Sequence, residues 1–187
     1  MNPVELRTER LFLSAPTLDD ADAITAACQD HELQRRVGIP VPYSRENAVG
    51  FIVQWSMDGW EKGTNCTWAI RRDGVFAGII GLDDIRGGEA TVGYWLDRSH
   101  RGLGILSEVL PVVLDFAFAP TGLAAQRVQW RAFSGNLASA RVAQKSGLRF
   151  EGVARLGVMG REHREDDWMA AILSSDDRAP QPWPVVP

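Results

Sequence analysis

The hydrophobic pattern of the chain changes its period after Gly63, and this change restricts the fold more than any other feature. The stretch TWAIRRDGVFAGIIGLDDI holds two strand patterns on either side of the hairpin signal Asp73-Gly74. The stretch GGEATVGYWL supplies a further strand, which ends at Leu96. Three strands in succession therefore form the centre of a predicted sheet.

Helical and strand patterns alternate on both sides of these three strands. Before them, RLFLSAP predicts a strand, TLDDADAITAACQD predicts a helix, and a second helix runs from Ser44 to about Gly59. After them come the helix GILSEVLPVVLDFAFA, the strand QRVQWRA, the helix NLASARVAQKSG and a closing hairpin of RFEGVARLGVM and REDDWMAAIL. The order β-α-α-β-β-β-α-β-α-β-β predicts an α/β (α+β) fold, with a mixed sheet of about seven strands and helices on both faces.

These elements predict one domain over residues 1–175, because neither a repeat nor a linker interrupts their order. Residues 176–187 form a tail that is polar at first and rich in proline towards its end. Tails of this composition contribute few apolar contacts, so we expect this one to be disordered or to lie on the surface.

The composition excludes several functional classes. The 187 residues are 45% hydrophobic and 24% charged, no apolar run could span a bilayer, and the N-terminus lacks the apolar centre of a signal peptide. The two cysteines, Cys28 and Cys66, match no metal or redox spacing. We therefore expect a cytoplasmic protein with no metal ion and no membrane contact. A net charge of −4 with scattered basic residues argues against nucleic acid as a partner and is compatible with amine substrates.

The stretch DRSHRGLGIL places Gly102 and Gly104 between a strand and a helix. A helix N-terminus has unpaired N–H groups and partial positive charge, and glycines let the backbone approach an anion closely. The stretch is therefore either a phosphate cradle or a turn that is merely rich in glycine. A dinucleotide fingerprint would need a third glycine where Ser107 stands, and the Gly-Lys-Ser/Thr of a Walker loop is absent.

Together with NLASARVAQKSGLRFEG, about 35 residues further on, this stretch resembles the GCN5-related N-acetyltransferase (GNAT) superfamily. The segment GYWLDRSHRGLGILSEVL is similar to the RimJ/RimL-type branch of that superfamily. The likeness extends from LRTERLFLSAPTLDDADAI to the closing hairpin. It implies the GNAT fold, acetyl-CoA as co-substrate, and direct attack of a primary amine on the thioester. Homodimers are common among similar proteins.

The resemblance implies a set of residues for the cofactor. Backbone amides would wrap the pyrophosphate, helped by the side chain of His100 or Arg101, and they belong to Arg101, Gly102, Leu103, Gly104, Ile105 and Leu106. Trp95 and Leu96 would bond the pantetheine arm through their backbone, and Asn136 would touch the cofactor. Ser139 would lie near the sulfur and protonate the departing thiolate. From the residues alone, Asn136 is equally a helix N-cap and Ser139 a surface residue of the first turn.

The general base is harder to assign. Thr91 stands where many members of the superfamily carry Glu, and the strand VARLGVM has no carboxylate. The remaining acids and bases are Asp83, Asp84, Glu89, His163 and Asp167, and of these we take Glu89 as the catalytic candidate. A free α-amine has a pKa near 8, so about a tenth is neutral at pH 7. Our hypothesis is an α-amine or similarly weak base as acceptor, deprotonated through water.

For the acceptor pocket we select Met57, Trp60 and Tyr94. Trp60 follows the second helix, whereas Trp68 and Trp95 lie on strands, where aromatic residues are usually core. The acceptor itself is left open between a peptide N-terminus and a small-molecule amine, including an antibiotic or a metabolite. A further alternative is an acyl-CoA-binding sensor that has lost catalysis, which the missing carboxylates favour.

Overall fold

The computed structural model describes residues 1–186, which fold around one sheet of eight strands in the order β1-β2-β3-β4-β5-β6-β8-β7. The strands are β1 (Leu6–Arg7), β2 (Leu11–Ser14), β3 (Cys66–Arg72), β4 (Val75–Arg86), β5 (Glu89–Leu96), β6 (Arg127–Phe133), β7 (Arg149–Met159) and β8 (Arg164–Leu173). The sequence predicts about seven strands. The additional strand is the two-residue β1, which is too short to show a periodic pattern.

The helices include all those predicted, together with one short helix, His31–Arg36, that was not predicted. They are α1 (Ala21–Ala27), α2 (His31–Arg36), α3 (Arg45–Gly50), α4 (Asp58–Lys62), α5 (Ile105–Phe118) and α6 (Leu137–Lys145). Residues Phe51–Met57 form a π-helical segment that joins α3 to α4, so the predicted second helix is one continuous unit. Within residues 1–186, no helix has the length and apolarity that a membrane span requires.

Helices cover both faces of the sheet, as predicted. On β3 and β4, Trp68 and Ile80 belong to the larger core cluster, with Val113 of α5 and Ala140 of α6. The neighbouring positions point to the other face and belong to a second cluster, which includes Ile24 of α1 and Ile52 of the π-helical segment. Because successive strand residues face opposite sides, this alternation assigns α5 and α6 to one face and α1 and α3 to the other.

The sheet opens between β5 and β6, the only two neighbouring strands in the described part of the chain that run parallel. Their pairing ends at Val92 and Trp130. Beyond that level β5 still pairs with β4 as far as Leu96, and β6 still pairs with β8 as far as Phe133. The two strands therefore diverge, and a wedge-shaped gap forms in the middle of the sheet.

The tail is part of the folded core, which corrects the expectation of a disordered or surface segment for residues 176–187. Trp183 is only 3% exposed, and its ring lies 5.5 Å from the ring of Trp130 and 5.5 Å from that of Phe150. Its indole N–H donates a hydrogen bond of 2.9 Å to the carbonyl of Leu148. The last residue, 187, lies outside the described residues.

Candidate active site

A cavity of about 730 Å³ occupies the gap between β5 and β6. Its walls are the end of β5, the loop before α5, the first turns of α5 and α6, and the side chains of Phe51 and Trp55. The wall at α6 lies on one face of the sheet, and Phe51 and Trp55 lie on the other. The cavity therefore passes through the sheet, so two reactants could enter from opposite faces and meet in the gap.

The glycine stretch forms one end of this cavity. Gly102 and Gly104 have φ values of +75° and +76°, in the left-handed region that glycine adopts without strain. Gly104 is the residue before α5, and within residues 1–186 the amides of Gly102, Leu103 and Gly104 donate no hydrogen bond. Free N–H groups at the start of a 14-residue helix are the arrangement that binds anionic phosphate.

The side chains around the glycines hold the loop together. The guanidinium of Arg101 donates two bonds of 3.2 Å to the carbonyl of Leu96 and pairs with Asp30 at 2.5 Å. The ring of His100 contacts its neighbour, with Nδ1 3.0 Å from Ser99 Oγ, and it is not in the cavity wall. Leu103 is exposed and is not in the cavity wall either. The predicted help of His100 or Arg101 side chains to a phosphate thus has no support in these contacts. The amide of Arg101, also predicted to bind phosphate, donates to the carbonyl of Arg98 at 3.4 Å, so the free donors begin at Gly102.

The first turn of α6 brings Ser139 to the cavity wall. Asn136 caps the helix, since its Oδ1 accepts a bond of 3.3 Å from the amide of Ser139. Ser139 Oγ accepts a hydrogen bond of 3.0 Å from the indole of the buried Trp130, and the hydroxyl of Tyr94 donates to the carbonyl of Ser139 at 2.9 Å. Burial raises the pKa of Tyr94, so its phenol stays protonated. The residues alone left the helix cap and a place in the cofactor site as alternatives. In the structure Asn136 caps α6, and both Asn136 and Ser139 also line the cavity.

The outer half of β5 faces the gap. From Gly93 to Leu96 this strand has β4 on one side and no strand on the other. Trp95 and Leu96 line the cavity, as does Tyr94. A strand edge without a partner offers N–H and C=O groups to an extended molecule, which is the property that the prediction for Trp95 and Leu96 requires.

Two of the three residues selected for the acceptor pocket lie elsewhere. Trp60 is 1% exposed, donates its indole N–H to the carbonyl of Thr67 at 3.1 Å, and packs edge-on against Trp68 at 5.0 Å. Met57 is 54% exposed and outside the cavity wall. The prediction for both is wrong because the helix does not end before Trp60 but continues through α4 to Lys62, so that Trp60 packs into the core and Met57 faces solvent.

Glu89 is also wrong as the catalytic candidate. It lies at the first residue of β5, where pairing with β6 is still closed, opposite Arg127. Its carboxylate pairs with the Arg127 guanidinium at 3.2 Å, and it is not in the cavity wall. The register between two strands that are distant in sequence decides which end of β5 faces the gap, and the sequence pattern does not contain that register.

Of the other acids and bases considered, Asp83 alone lines the cavity. Asp84 and His163 are exposed, and Asp167 is buried in an ion pair with Arg131. Burial, together with the charge of the adjacent Asp84, raises the pKa of Asp83 to about 6, although the indole N–H of Trp55 opposes the shift. Asp83 is therefore a carboxylate near neutral pH that would accept a proton readily.

Comparison with known proteins identifies the family. Residues 10–149 match the acetyltransferase (GNAT) domain. The chain is 32% identical over 154 residues to the uncharacterized N-acetyltransferase YoaA of Bacillus subtilis, covering 80% of this chain and 85% of that protein. It is 40% identical over 88 residues to the probable N-acetyltransferase YjcK of the same organism, a match that spans about half of each protein, 47% and 48% respectively.

Among solved structures, RimL, a ribosomal L7/L12 alpha-N-protein acetyltransferase in complex with coenzyme A, superposes with a TM-score of 0.83. The identity is 23%, over 91% of this chain and 98% of that one, and the likeness concerns the fold. The chain belongs to the GNAT acetyltransferase family. It is an acetyl-CoA-dependent N-acetyltransferase, which confirms the predicted fold, co-substrate and reaction class, and it shares its fold with RimL.

Proposed function

We propose that this enzyme acetylates an α-amino group, either at a peptide N-terminus or on a small molecule. The observation that carries the proposal is the cavity through the sheet, which has free amides at one end, Ser139 on its wall and the unpaired carboxylate of Asp83 on the opposite face. A base with a pKa near 6 suits an α-ammonium of pKa near 8 much better than a lysine near 10.4. The RimL fold is one on which α-amine transfer takes place.

In the proposed reaction, the neutral amine attacks the thioester carbonyl. A carbon–nitrogen bond forms, the carbon–sulfur bond breaks, and the amine gives up one proton. The departing thiolate takes a proton from the Ser139 hydroxyl, which recovers it from solvent. Ser139 is suited to this because its oxygen already accepts the Trp130 N–H, and within residues 1–186 its own proton has no acceptor. Holding both reactants in one gap supplies much of the acceleration without a covalent enzyme intermediate.

The residues of the glycine loop fit the diphosphate of acetyl-CoA, because their amides are unpaired and Cβ atoms at Gly102 and Gly104 would meet nothing within 4 Å. We expect Gly104→Ala to raise the Kd for acetyl-CoA about 10-fold, since a left-handed alanine is strained by roughly 1–2 kcal/mol and the amides at the start of α5 would turn away. Isothermal titration would measure this.

The control for that substitution is Gly74→Ala. Gly74 has a φ of +78° and the same open surroundings, and it lies in the β3–β4 hairpin outside the cavity wall. It brings the same backbone strain, so acetyl-CoA affinity should stay unchanged. Equal losses of affinity in the two variants would contradict an anion-binding role for the loop.

The proposed function is tested by following release of free thiol from acetyl-CoA with a panel of acceptors. The panel contains N-terminal peptides, amino acid amides, polyamines, aminoglycosides and a peptide whose only amine is a lysine side chain. We expect turnover with α-amines, and kcat/KM at least 10-fold lower for the lysine peptide, because less of it is neutral at pH 7. Tight acetyl-CoA binding without turnover on any amine would favour the sensor alternative.

A cytoplasmic location and a homodimer are part of this proposal. Acetyl-CoA and nascent or small-molecule amines meet in that compartment, and the buried thiols of Cys28 and Cys66 are unpaired. Analytical ultracentrifugation gives the oligomeric state directly.

A further inference from the structure

Two glycines lie side by side on the sheet face that α1 and α3 cover. Gly81 of β4 is paired with Gly93 of β5, and on its other side Gly81 is paired with Thr67 of β3. Paired residues share a face of the sheet, and Asp83, two positions beyond Gly81, shares it too. Since neither glycine has a side chain, the row forms a pit in the cavity floor, with Thr67 and Asp83 at its rim.

The pit is small and surrounded by oxygen atoms. A Cβ placed on Gly81 would lie 3.5 Å from Asp83 Oδ1, 3.7 Å from Thr67 Oγ1 and 3.4 Å from the carbonyl oxygen of Cys66. A Cβ placed on Gly93 would lie 3.7 Å from Asp83 Oδ2. One small group seated above the glycines would therefore be within reach of both rim side chains.

Both rim side chains have buried oxygens that no protein group satisfies. Thr67 is 2% exposed, and neither its Oγ1 nor Asp83 Oδ1 has a hydrogen-bond partner within residues 1–186. An unsatisfied buried polar atom destabilises a fold and is rare in native proteins, so two of them side by side call for an explanation. Two free acceptors in a pit indicate a ligand that donates hydrogen bonds.

The charges around the pit favour a cation. Asp83 forms no ion pair in the described part of the chain. The groups that act on it are Asp84 on its own strand, the indole of Trp55, and the Cys66 thiol, which stays neutral because burial raises its pKa to about 12. Six further charged residues line the same cavity, namely Glu32, Arg36, Arg101, Arg131, Arg141 and Lys145. Arg141 and Lys145 belong to α6, which covers the opposite face of the sheet from the pit, and Arg101 is paired with Asp30. Arg36 is paired with Glu32, and Arg131 is paired with the buried Asp167.

We infer that Thr67 and Asp83, above the glycine pair Gly81 and Gly93, bind the ammonium group of the acceptor, and that Asp83 then takes its proton. The inference rests on the proposed function and deepens it by assigning the acceptor site. One N–H of the ammonium donates to Asp83 and one to Thr67. The proton moves from nitrogen to the carboxylate, the nitrogen keeps its electron pair for the thioester carbonyl, and the protonated carboxyl later returns its proton to solvent. A dedicated carboxylate thus replaces the deprotonation through water that we expected from the sequence.

Asp83→Asn is the first test, with Asp84→Asn as its matched control one residue away. We expect Asp83→Asn to lower kcat about 10²–10³-fold and to remove the fall in kcat below a pH of about 6, because the amide cannot accept a proton. Acetyl-CoA affinity should stay within about 2-fold. The exposed Asp84 variant should keep the wild-type kcat above pH 7, with the fall in kcat moved to lower pH because Asp84 raises the pKa of Asp83. If Asp83→Asn kept the wild-type kcat together with the fall in kcat at low pH (the acid limb of the pH profile), the inference would be overturned.

Thr67→Val and Gly81→Ala test binding separately from proton transfer. Thr67→Val keeps the shape and removes the hydroxyl, so the acceptor KM should rise about 10-fold while the acid limb stays in place. Gly81→Ala fits at ordinary contact distances and fills the pit, so it should raise the same KM further at unchanged acetyl-CoA affinity. Unchanged KM values in both variants would place the ammonium elsewhere.

A measurement without turnover separates this inference from the proposed function. The carboxyl carbon of Asp83 can be titrated by carbon-13 NMR in the presence of coenzyme A, with and without glycinamide as the probe amine. Binding of the ammonium should lower the pKa of Asp83 by about one or more, because a nearby cation favours the carboxylate. An unchanged titration overturns the ammonium site, whereas a wild type that acetylates no amine but shows the shift contradicts only the proposed reaction.

Discussion

Replacing Ser139 by alanine is expected to lower kcat about 10²–10³-fold, the usual contribution of general acid catalysis. The departing thiolate then has to take its proton from water. Ser139 is held in place by two neighbours, since Trp130 donates to its Oγ at 3.0 Å and Tyr94 to its carbonyl at 2.9 Å. The measurement is steady-state thiol release with the best acceptor, together with the Kd for acetyl-CoA, which should change little.

Two variants make this result specific. Ser146→Ala removes another hydroxyl from the end of α6, outside the cavity wall, and should leave kcat unchanged. Trp130→Phe keeps an aromatic ring but removes the N–H that holds Ser139 Oγ, so we expect a smaller loss, about 10-fold. If Ser139→Ala kept full activity, or if it lost acetyl-CoA affinity as strongly as kcat, the role of acid would be refuted.

The features that could be predicted from the sequence are local ones. The glycine stretch is recognisable because a turn with positive φ, unpaired amides and a helix start all lie within Gly102 to Ile105. The cap of α6 is recognisable for the same reason, since Asn136 and Ser139 are three residues apart. The order of helices and strands can be predicted because the hydrophobic period of each element is visible within a short window of sequence.

The acceptor side could not be predicted because it depends on pairing between distant strands. Thr67, Gly81 and Gly93 lie in one row only through the registers of β3, β4 and β5, and a shift of one residue would turn Thr67 to the opposite face. Because the register was unknown, the sequence could not distinguish Asp83, which lines the cavity, from the other four candidates, including Glu89. A pair of glycines on neighbouring strands is a signal that sequence reasoning could have used, had the register been known.

The error on Trp60 and Met57 has a different physical origin. The sequence pattern predicts that the second helix ends at about Gly59 and leaves Trp60 beyond it, whereas the helix continues through α4 to Lys62. Trp60 therefore packs into the core from α4 and Met57 faces solvent, while Phe51 and Trp55 of the π-helical segment line the cavity. The prediction for the tail was wrong for another reason. Its composition is polar and proline-rich, but its one tryptophan, Trp183, packs against a part of the core that is distant in sequence.

Replacing that side chain should have the largest effect on stability. Trp183→Ala is expected to lower the free energy of unfolding by about 3–5 kcal/mol, the usual cost of truncating a large buried aromatic residue. It removes the contacts with the rings of Trp130 and Phe150 and leaves the carbonyl of Leu148 without its donor. Urea denaturation followed by circular dichroism measures the change.

The control is Trp55→Ala, which truncates the same residue type where it is 46% exposed and should cost less than about 1 kcal/mol. Trp183→Phe separates ring from hydrogen bond, and we expect it to cost about 1–2 kcal/mol. Equal effects of Trp183→Ala and Trp55→Ala would mean that the tail is not part of the core.

Because Trp183 packs against Trp130, whose N–H holds Ser139, the loss of Trp183 should also lower kcat in the folded enzyme, while Trp183→Phe should retain most of it. The tail would then stabilise the fold and, through Trp130, the position of the proton donor.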